Sequence, residues 1–360
     1  MQKIISFPHI GNYYVPIEIF LKLIFPEHII LPSPKITKRT LELGSKYSPD
    51  FVCVPFKYNL GNYIEALENG ATVLIQVCGG CRYGYYAEIQ EKILKDLGYQ
   101  FEFIKIGWGK FNPIKIYQLF RKTGASASFP TFIRYALLTI KMIEVLDSFE
   151  SYIRENIGFE KKKNSLETLH QQFLSDLRTV RGFRQLSRLQ SEYKSKLKTI
   201  KIEKPSDCLK IGIVGELYSL MEPFSSFFIE KELSKQQIQV RRFITVTFLL
   251  NKLKLDKKIL KSAGSYLKYA IGADGTDSVE KSQLLAKQGY DGIIHMKPFG
   301  CTPEVNAMPI LQKISNDYKI PILYFSFDSQ TSETGVKTRL EAFYDMLLMR
   351  KEHEKCKQLI

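Results

Sequence analysis

The sequence predicts an α/β protein: two domains, each built on a parallel sheet, with a helical insertion between them. Three observations carry this. Short apolar runs alternate with amphipathic helical stretches from Lys3 to Ile106. The alternation stops between about Phe111 and Ile202, where apolar positions such as Ile133, Leu137, Ile140 and Ile143 recur only at helical spacing. It restarts at Cys208 and continues to the end. Strand and helix in alternation, with short connections, imply a parallel, doubly wound sheet. The domains are therefore placed at 1–110, 111–205 and 206–360.

Taken in order, Lys3 to Phe7 reads as a strand. It passes through the turn cluster Pro8-His9-Ile10-Gly11-Asn12 into a helix marked by Ile17, Leu21 and Ile24. His28 to Leu31 is a second strand, closed by Pro32 and Pro34. Thr37 is an N-cap for a helix to Tyr47. Phe51 to Pro55, containing Cys53, reads as a third strand, and Asn59 to Asn69 as a helix ended by Gly70. Thr72 to Val77 is a fourth strand, followed by the turn Cys78-Gly79-Gly80-Cys81, a helix to about Leu97 and a strand from Phe101 to Ile106. The insertion ends in one long basic helix, Leu166 to Ile200, read as packed on the sheet domains rather than as a coiled coil or a nucleic-acid arm. In the last third, strands are expected at Leu209–Gly215, Gln239–Val246, Gly292–Met296 and Pro321–Phe325, and helices at Ser278–Gln288 and Thr338–Met349. Pro303 suits the first turn of a further helix.

With 360 residues, the chain has room for about two ordinary domains. Its 44% hydrophobic and 12% aromatic content excludes a disordered chain. The start, Met-Gln-Lys-Ile-Ile-Ser-Phe-Pro, lacks a signal peptide's apolar core. No window approaches the ~18 apolar residues of a membrane span. A cytoplasmic protein is expected, without membrane partners. There the six cysteines read as small core residues, metal ligands or redox groups, not as a disulfide framework. The net charge of +15, raised by runs such as Lys161-Lys162-Lys163 and Lys252 to Lys261, reads first as a solvated surface. Its sharper reading is an acidic partner: nucleic acid, an acidic protein or a CoA thioester.

Cys53, Cys81 and Cys301 are all expected at the carboxyl ends of strands, the edge where open α/β sheets bind ligands. Cys78 is the neighbour of Cys81. Thiolates from loops hold iron–sulfur clusters, and zinc accepts them as well. A zinc finger would show two paired knuckles, whereas this chain has one Cys-x-x-Cys and distant further candidates. That distribution favours a cluster held from two domains. A thioredoxin-like dithiol at Cys78 and Cys81 is a further reading. Cys208 and Cys356 are read as core residues.

Longer motifs carry a resemblance. They are Phe7-Pro8-His9-Ile10-Gly11-Asn12-Tyr13-Tyr14, Lys38-Arg39-Thr40-Leu41-Glu42-Leu43-Gly44, Cys53-Val54-Pro55-Phe56-Lys57-Tyr58-Asn59-Leu60-Gly61, Gly79-Gly80-Cys81-Arg82-Tyr83-Gly84-Tyr85-Tyr86 and Pro298-Phe299-Gly300-Cys301-Thr302-Pro303-Glu304, with Asp328 to Phe343. With these the chain resembles the acyl-CoA dehydratase activase-related, or CoA protein activase, proteins of the 2-hydroxyacyl-CoA dehydratase and double-cubane-cluster superfamily. The resemblance implies two Rossmann-like domains and an oxygen-sensitive iron–sulfur cluster between them, most simply [4Fe–4S] on Cys53, Cys81 and Cys301. Cys78 stands as a candidate fourth ligand, and a double-cubane cluster would need more thiolates than three. The resemblance also implies an ATP-dependent activator, or reductase, that donates a low-potential electron, an acyl-CoA substrate, and a homodimer or heterodimer. The expected chemistry is reductive or radical dehydration under anaerobic conditions. Two other readings stay open: a non-catalytic electron-transfer or scaffold subunit with a fully ligated cluster, and a zinc-stabilised nucleic-acid binder. The chain has no Gly-x-x-x-x-Gly-Lys-Ser/Thr, so P-loop ATP binding is not expected.

Around the cysteines, Arg82 is a candidate for offsetting cluster charge or holding a CoA phosphate. Lys57 and Asn59 are candidates for bonds to cluster sulfur or substrate, with a helix cap as the other reading of Asn59. His9 and His295 read as structural histidines or proton donors. Asp328, Glu333, Thr338 and Arg339 are read as shaping the cleft or capping the last helix. Gly212 and Gly215 make too weak a pattern for a dinucleotide site.

Overall fold

The computed structural model describes residues 2–107 and 112–358. The expected domain boundary at 110 and 111 lies outside these residues. Two compact units result: one from the chain up to Leu146 together with His170–Leu197, the other from Asp147–Leu169 together with the chain from Lys198 onward. The helical middle of the sequence divides between them. Each unit carries one four-stranded, all-parallel sheet.

In the first unit the elements run β1 (Ile4–Ser6), α1 (Tyr14–Ile24), β2 (Ile29–Ile30), α2 (Lys38–Tyr47), α3 (Val54–Glu68), β3 (Val73–Cys78), a 3₁₀ turn (Arg82–Tyr85), α4 (Tyr86–Asp96), β4 (Glu102–Gly107) and α5 (Pro113–Thr123). The strand order is β2-β1-β3-β4. Strand β3 shows why these residues form a central strand. Val73 and Ile75 enter one apolar cluster with Ile5, Ile24 and Phe120, while Leu74 enters another with Phe56, Leu60 and Leu94. Alternate side chains thus bury on both faces, as a parallel strand covered by helices requires.

Helices α2 and α3 follow each other without a strand between. Thr37 caps α2, its side chain accepting from the Thr40 amide. The Thr40 hydroxyl then donates to Glu65 Oε2 at 2.8 Å, inside the α2–α3 contact. The two backbones approach at glycines: a Cβ on Gly44 would lie 1.7 Å from the Lys57 carbonyl oxygen, and one on Gly61 1.9 Å from that of Thr40. Only glycine permits this approach.

The helical stretch continues with α6 (Phe129–Asn156), α7 (Ser165–Leu177) and α8 (Phe183–Thr199). The single helix expected over 166–200 is therefore two. The break falls at Val180, Arg181 and Gly182, where Val180 turns back to the Leu177 carbonyl. The second unit contains β5 (Lys210–Gly215), α9 (Leu217–Met221), α10 (Ile229–Lys235), β6 (Gln239–Arg242), α11 (Val246–Ser262), α12 (Gly275–Lys287), β7 (Gly292–Pro298), α13 (Thr302–Tyr318), β8 (Ile322–Phe327) and α14 (Glu333–Gln358). Its order, β6-β5-β7-β8, is that of the first sheet. Every residue of β7 is buried. The strand expected over 239–246 ends at Arg242, because Thr245 caps α11 by accepting from the Phe248 amide. Helix α14 is longer than expected at both ends, and Cys356, read as a core residue, is exposed on its last turns. Cys208 is buried as expected. Among the described residues, no helix is long and apolar enough to cross a membrane.

Candidate functional site

In both sheets the strand order reverses between β1 and β3 in one unit and between β5 and β7 in the other, while the strands stay parallel. The crevice outside the carboxyl ends of such strands is where open α/β sheets place their ligands. Cys81 follows β3 and Cys301 follows β7.

Cys53 lies elsewhere than expected. Phe51 to Pro55 forms no strand. Instead, residues 49–52 make a turn, and Cys53, in extended backbone (φ −68°, ψ 153°), is the N-cap of α3. Pro55 explains this: it has no amide to give a sheet ladder, and its fixed φ suits a helix's first turn. The helix therefore begins at Val54, and Asn59 is an interior residue, not its cap.

Cys301 is the N-cap of α13, again with proline in the first turn. The equivalence among these cysteines is thus a different one from that expected. Phe51-Val52-Cys53-Val54-Pro55 and Phe299-Gly300-Cys301-Thr302-Pro303 share the pattern Phe-x-Cys-x-Pro. In each, the phenylalanine is exposed (94% and 69%), the cysteine caps a helix and the proline follows inside it.

The environment of Cys53 comes from the turn after β3. Its Sγ lies 2.8 Å from the Tyr86 hydroxyl. Tyr86 is buried, with its ring edge-on to Phe56 at 4.8 Å and tilted against Tyr83 at 5.2 Å. Asn59 donates to the Tyr83 hydroxyl, tying α3 to the turn. Cys81 is exposed and caps the 3₁₀ turn; its Sγ accepts from the Tyr83 amide at 3.5 Å. Burial holds the Tyr86 hydroxyl well above the ordinary phenol range, with Cys53 and Cys81 adding to the effect. One hydroxyl therefore feels two thiols.

Cys78 has other neighbours. It ends β3, buried, opposite Gly107. Burial and then Glu88 push its thiol up, against a smaller opposing effect of Lys105. Arg82 is exposed on the 3₁₀ turn, and Lys57 is half-buried on α3. His9 is buried, stacked on Tyr14 at 5.1 Å, and its amide donates to Asn62 Oδ1 at 2.8 Å. No disulfide joins the six cysteines. Among the described residues, no three of His, Cys, Asp and Glu stand together as a metal-holding group.

The Cys301 turn is surrounded by charge. Lys297, the penultimate residue of β7, is 4% exposed. Burial pushes its ammonium down, against the opposing fields of Cys301 and Glu304. Glu304, in the first turn of α13, is fully buried; its Oε2 lies 2.6 Å from His295 Nε2, and its Oε1 accepts from Ser278 at 3.1 Å. Two further carboxylates belong here. Glu216 follows β5 and caps α9, accepting from the Tyr218 and Ser219 amides at 3.0 and 2.9 Å. Asp274, next to α12, accepts from the Leu217 amide at 3.1 Å. Burial pushes Asp274 up to about 7; Lys252 opposes this, and Glu216 and Glu304 add to it. Burial also raises Glu216, partly offset by its amide bonds.

Sequence reasoning missed Tyr86, Glu216 and Asp274 and gave Glu304 no role. A carboxylate directly after a buried strand, as in Gly215-Glu216, is the signal that was available for one of them. Of the C-terminal candidates, Asp328 Oδ1 accepts from the Gln330 amide and the Thr331 hydroxyl in the turn after β8. Glu333 pairs with Lys337 at 2.8 Å. Arg339 donates to the Tyr324 carbonyl at 2.6 Å and lies over the Phe325 ring, and Thr338 lies within α14.

Residues 274–347 match the family model of the 2-hydroxyglutaryl-CoA dehydratase D-component. This stretch runs from Asp274 through β7, the Cys301 turn and β8 into α14, and it is similar to the 2-hydroxyacyl-CoA dehydratase superfamily. No curated protein matches the chain.

Proposed function

We propose that the chain is a cytoplasmic iron–sulfur subunit of 2-hydroxyacyl-CoA dehydratase type. It receives a low-potential electron from an ATP-dependent activator for reductive or radical dehydration of an acyl-CoA. The observation that carries this reading is the paired Phe-x-Cys-x-Pro turn: Cys301 lies within the dehydratase-like stretch, and Cys53 repeats its local build.

The donor set suits thiolate ligation. Cluster ligands must be deprotonated thiols, and amide and hydroxyl donors favour that form. Cys81 has the Tyr83 amide, Cys53 the Tyr86 hydroxyl and Cys301 the field of Lys297. Cys53, Cys81 and Cys301 would hold the cluster, and Cys78, whose thiol burial and then Glu88 push up, is left out of the set. A bound [4Fe–4S] cluster with an open iron supplies one-electron chemistry. The chain's own part is to seat the thiols at helix starts, to place the buried carboxyls of Asp274 and Glu216 near the Cys301 turn, with Asp274 pushed up to about 7 by burial, and to fix that turn through Glu304 and His295. Arg82 remains the candidate for a CoA phosphate, and Lys57 for a bond to cluster sulfur or substrate.

Anaerobic reconstitution tests this. Brown protein with about four irons per chain is expected, lost in Cys53→Ser, Cys81→Ser and Cys301→Ser but kept in Cys78→Ser. A colourless protein that takes up zinc instead would sink the reading.

A further inference from the structure

We propose that Tyr86 is a positioning residue for Cys53: its hydroxyl hydrogen-bonds the Cys53 sulfur and so sets the electron density on that ligand. The proposal rests on the ligand assignment above.

The sequence places three tyrosines in four residues, Tyr83, Tyr85 and Tyr86, with one residue between them and Cys81. They do not serve alike. Tyr85 is 74% exposed, while Tyr86 is 4% exposed and opens α4. A buried phenol needs a hydrogen-bond partner, and burial alone would be served as well by phenylalanine. Its partners here lie on one residue: the Cys53 sulfur, among the weaker acceptors a protein offers, and the Cys53 amide. The position is nevertheless well fixed. Phe56 meets the Tyr86 ring at an interplanar angle of 88°, and Tyr83 flanks it under the hold of Asn59. Phe56 and Asn59 both come from α3, the helix that Cys53 caps. The phenol thus ties the start of α4 to the start of α3 at the sulfur itself.

Such a contact has a consequence that packing lacks. A donor to a ligand sulfur withdraws electron density from it, favouring the reduced state of the metal centre and raising its potential. Cys301 has the Lys297 ammonium in its surroundings.

The test is Tyr86→Phe, which keeps the ring and removes the hydroxyl. In the reconstituted protein we expect unchanged iron content, a negative shift of the midpoint potential and an altered paramagnetic resonance spectrum. A ring-fluorinated tyrosine at position 86, a stronger donor, should shift the potential the other way. Tyr193→Phe, whose hydroxyl serves Asp176 at 2.6 Å, should do neither. In the metal-free, reduced protein, the infrared S–H band that Cys53→Ser removes should move in Tyr86→Phe. A potential and an S–H band both unchanged in Tyr86→Phe would overturn the proposal. If the wild-type chain takes up no cluster, the iron–sulfur reading fails and takes the potential with it, while the S–H band still decides whether the hydroxyl holds the sulfur.

Discussion

The turns around Cys53 and Cys301 share the pattern Phe-x-Cys-x-Pro and a helix N-cap position, yet they are held by opposite means. Cys53 is seated by neutral groups: a phenol at 2.8 Å, the Phe56 ring, and a helix pair whose backbones approach at Gly44 and Gly61. Cys301 is seated by ionisable ones: Lys297 buried beside it, and Glu304, three residues on, locked to His295 and Ser278. They also enter differently. Cys301 comes straight off the central strand β7, whereas Cys53 comes off a helix–helix corner. A helix N-cap followed by proline is evidently a local solution that two different supports can present.

The comparison breaks most strongly at Glu304. Glu304→Ala strips a fully buried partner from His295 and Ser278. Leaving such groups unpaired costs about 3–5 kcal/mol. We expect denaturant unfolding to show the second unit's transition shifted by that amount. A shift under about 1 kcal/mol would mean that water or another group replaces the carboxylate and that the charged support is dispensable. The counterpart is Gly61→Ala, whose added methyl meets the Thr40 carbonyl oxygen at 1.9 Å. Overpacking of this kind costs about 2–3 kcal/mol. It should appear in the first unit's transition and slacken the Cys53–Tyr86 contact, leaving the Cys301 turn intact. Equal losses in both units would show that the two supports are not independent.

The sheets were the legible part of the sequence, because strand period and helix period are properties of neighbouring residues. Among the described residues, all eight strands fall where strands are expected, and the one expected strand that does not form, at Phe51–Pro55, has a clear cause. Two β-branched valines flank Cys53 and favour a strand, but the proline at 55 and the helical spacing of Phe56, Leu60, Tyr63, Ile64 and Leu67 decide for a helix. The break at Gly182 leaves a weak signal as well, since one glycine inside a long basic helical pattern interrupts it only slightly. The functional surroundings were legible in part. The cysteines and their glycine turns stand out, but Glu216, Asp274 and Glu304 lie far apart in sequence and each reads as an ordinary surface carboxylate. Only the parallel order of β5 and β7, with α12 and α13 beside them, makes them neighbours. Tyr86 was hidden by its repetition: three tyrosines in four residues give no hint of which one is buried.

The smallest expected effect is also the one that separates the two supports by pH. Asp274 has an ordinary carboxyl value of 3.8 and is pushed up to about 7 in the folded chain, by burial first. A raised value means that the folded state binds the proton more tightly than the unfolded chain. The resulting stability is fully present below 3.8 and is lost as pH rises through about 7. Between pH 6 and 8 the loss amounts to about 1.4 kcal/mol for a single group of this kind. Asp274→Asn keeps an oxygen for the Leu217 amide but carries no titrating proton. The wild-type chain should therefore lose stability across this window relative to the variant, read as unfolding midpoints at several pH values. Tyr86→Phe should leave that slope alone, because burial and its thiol neighbours hold the phenol far above this range. If Asp274→Asn left the slope unchanged, the carboxylate set would already be ionised at pH 6. The Cys301 turn would then owe its position to fixed charges, with Lys252 and Lys297 as the groups that balance them.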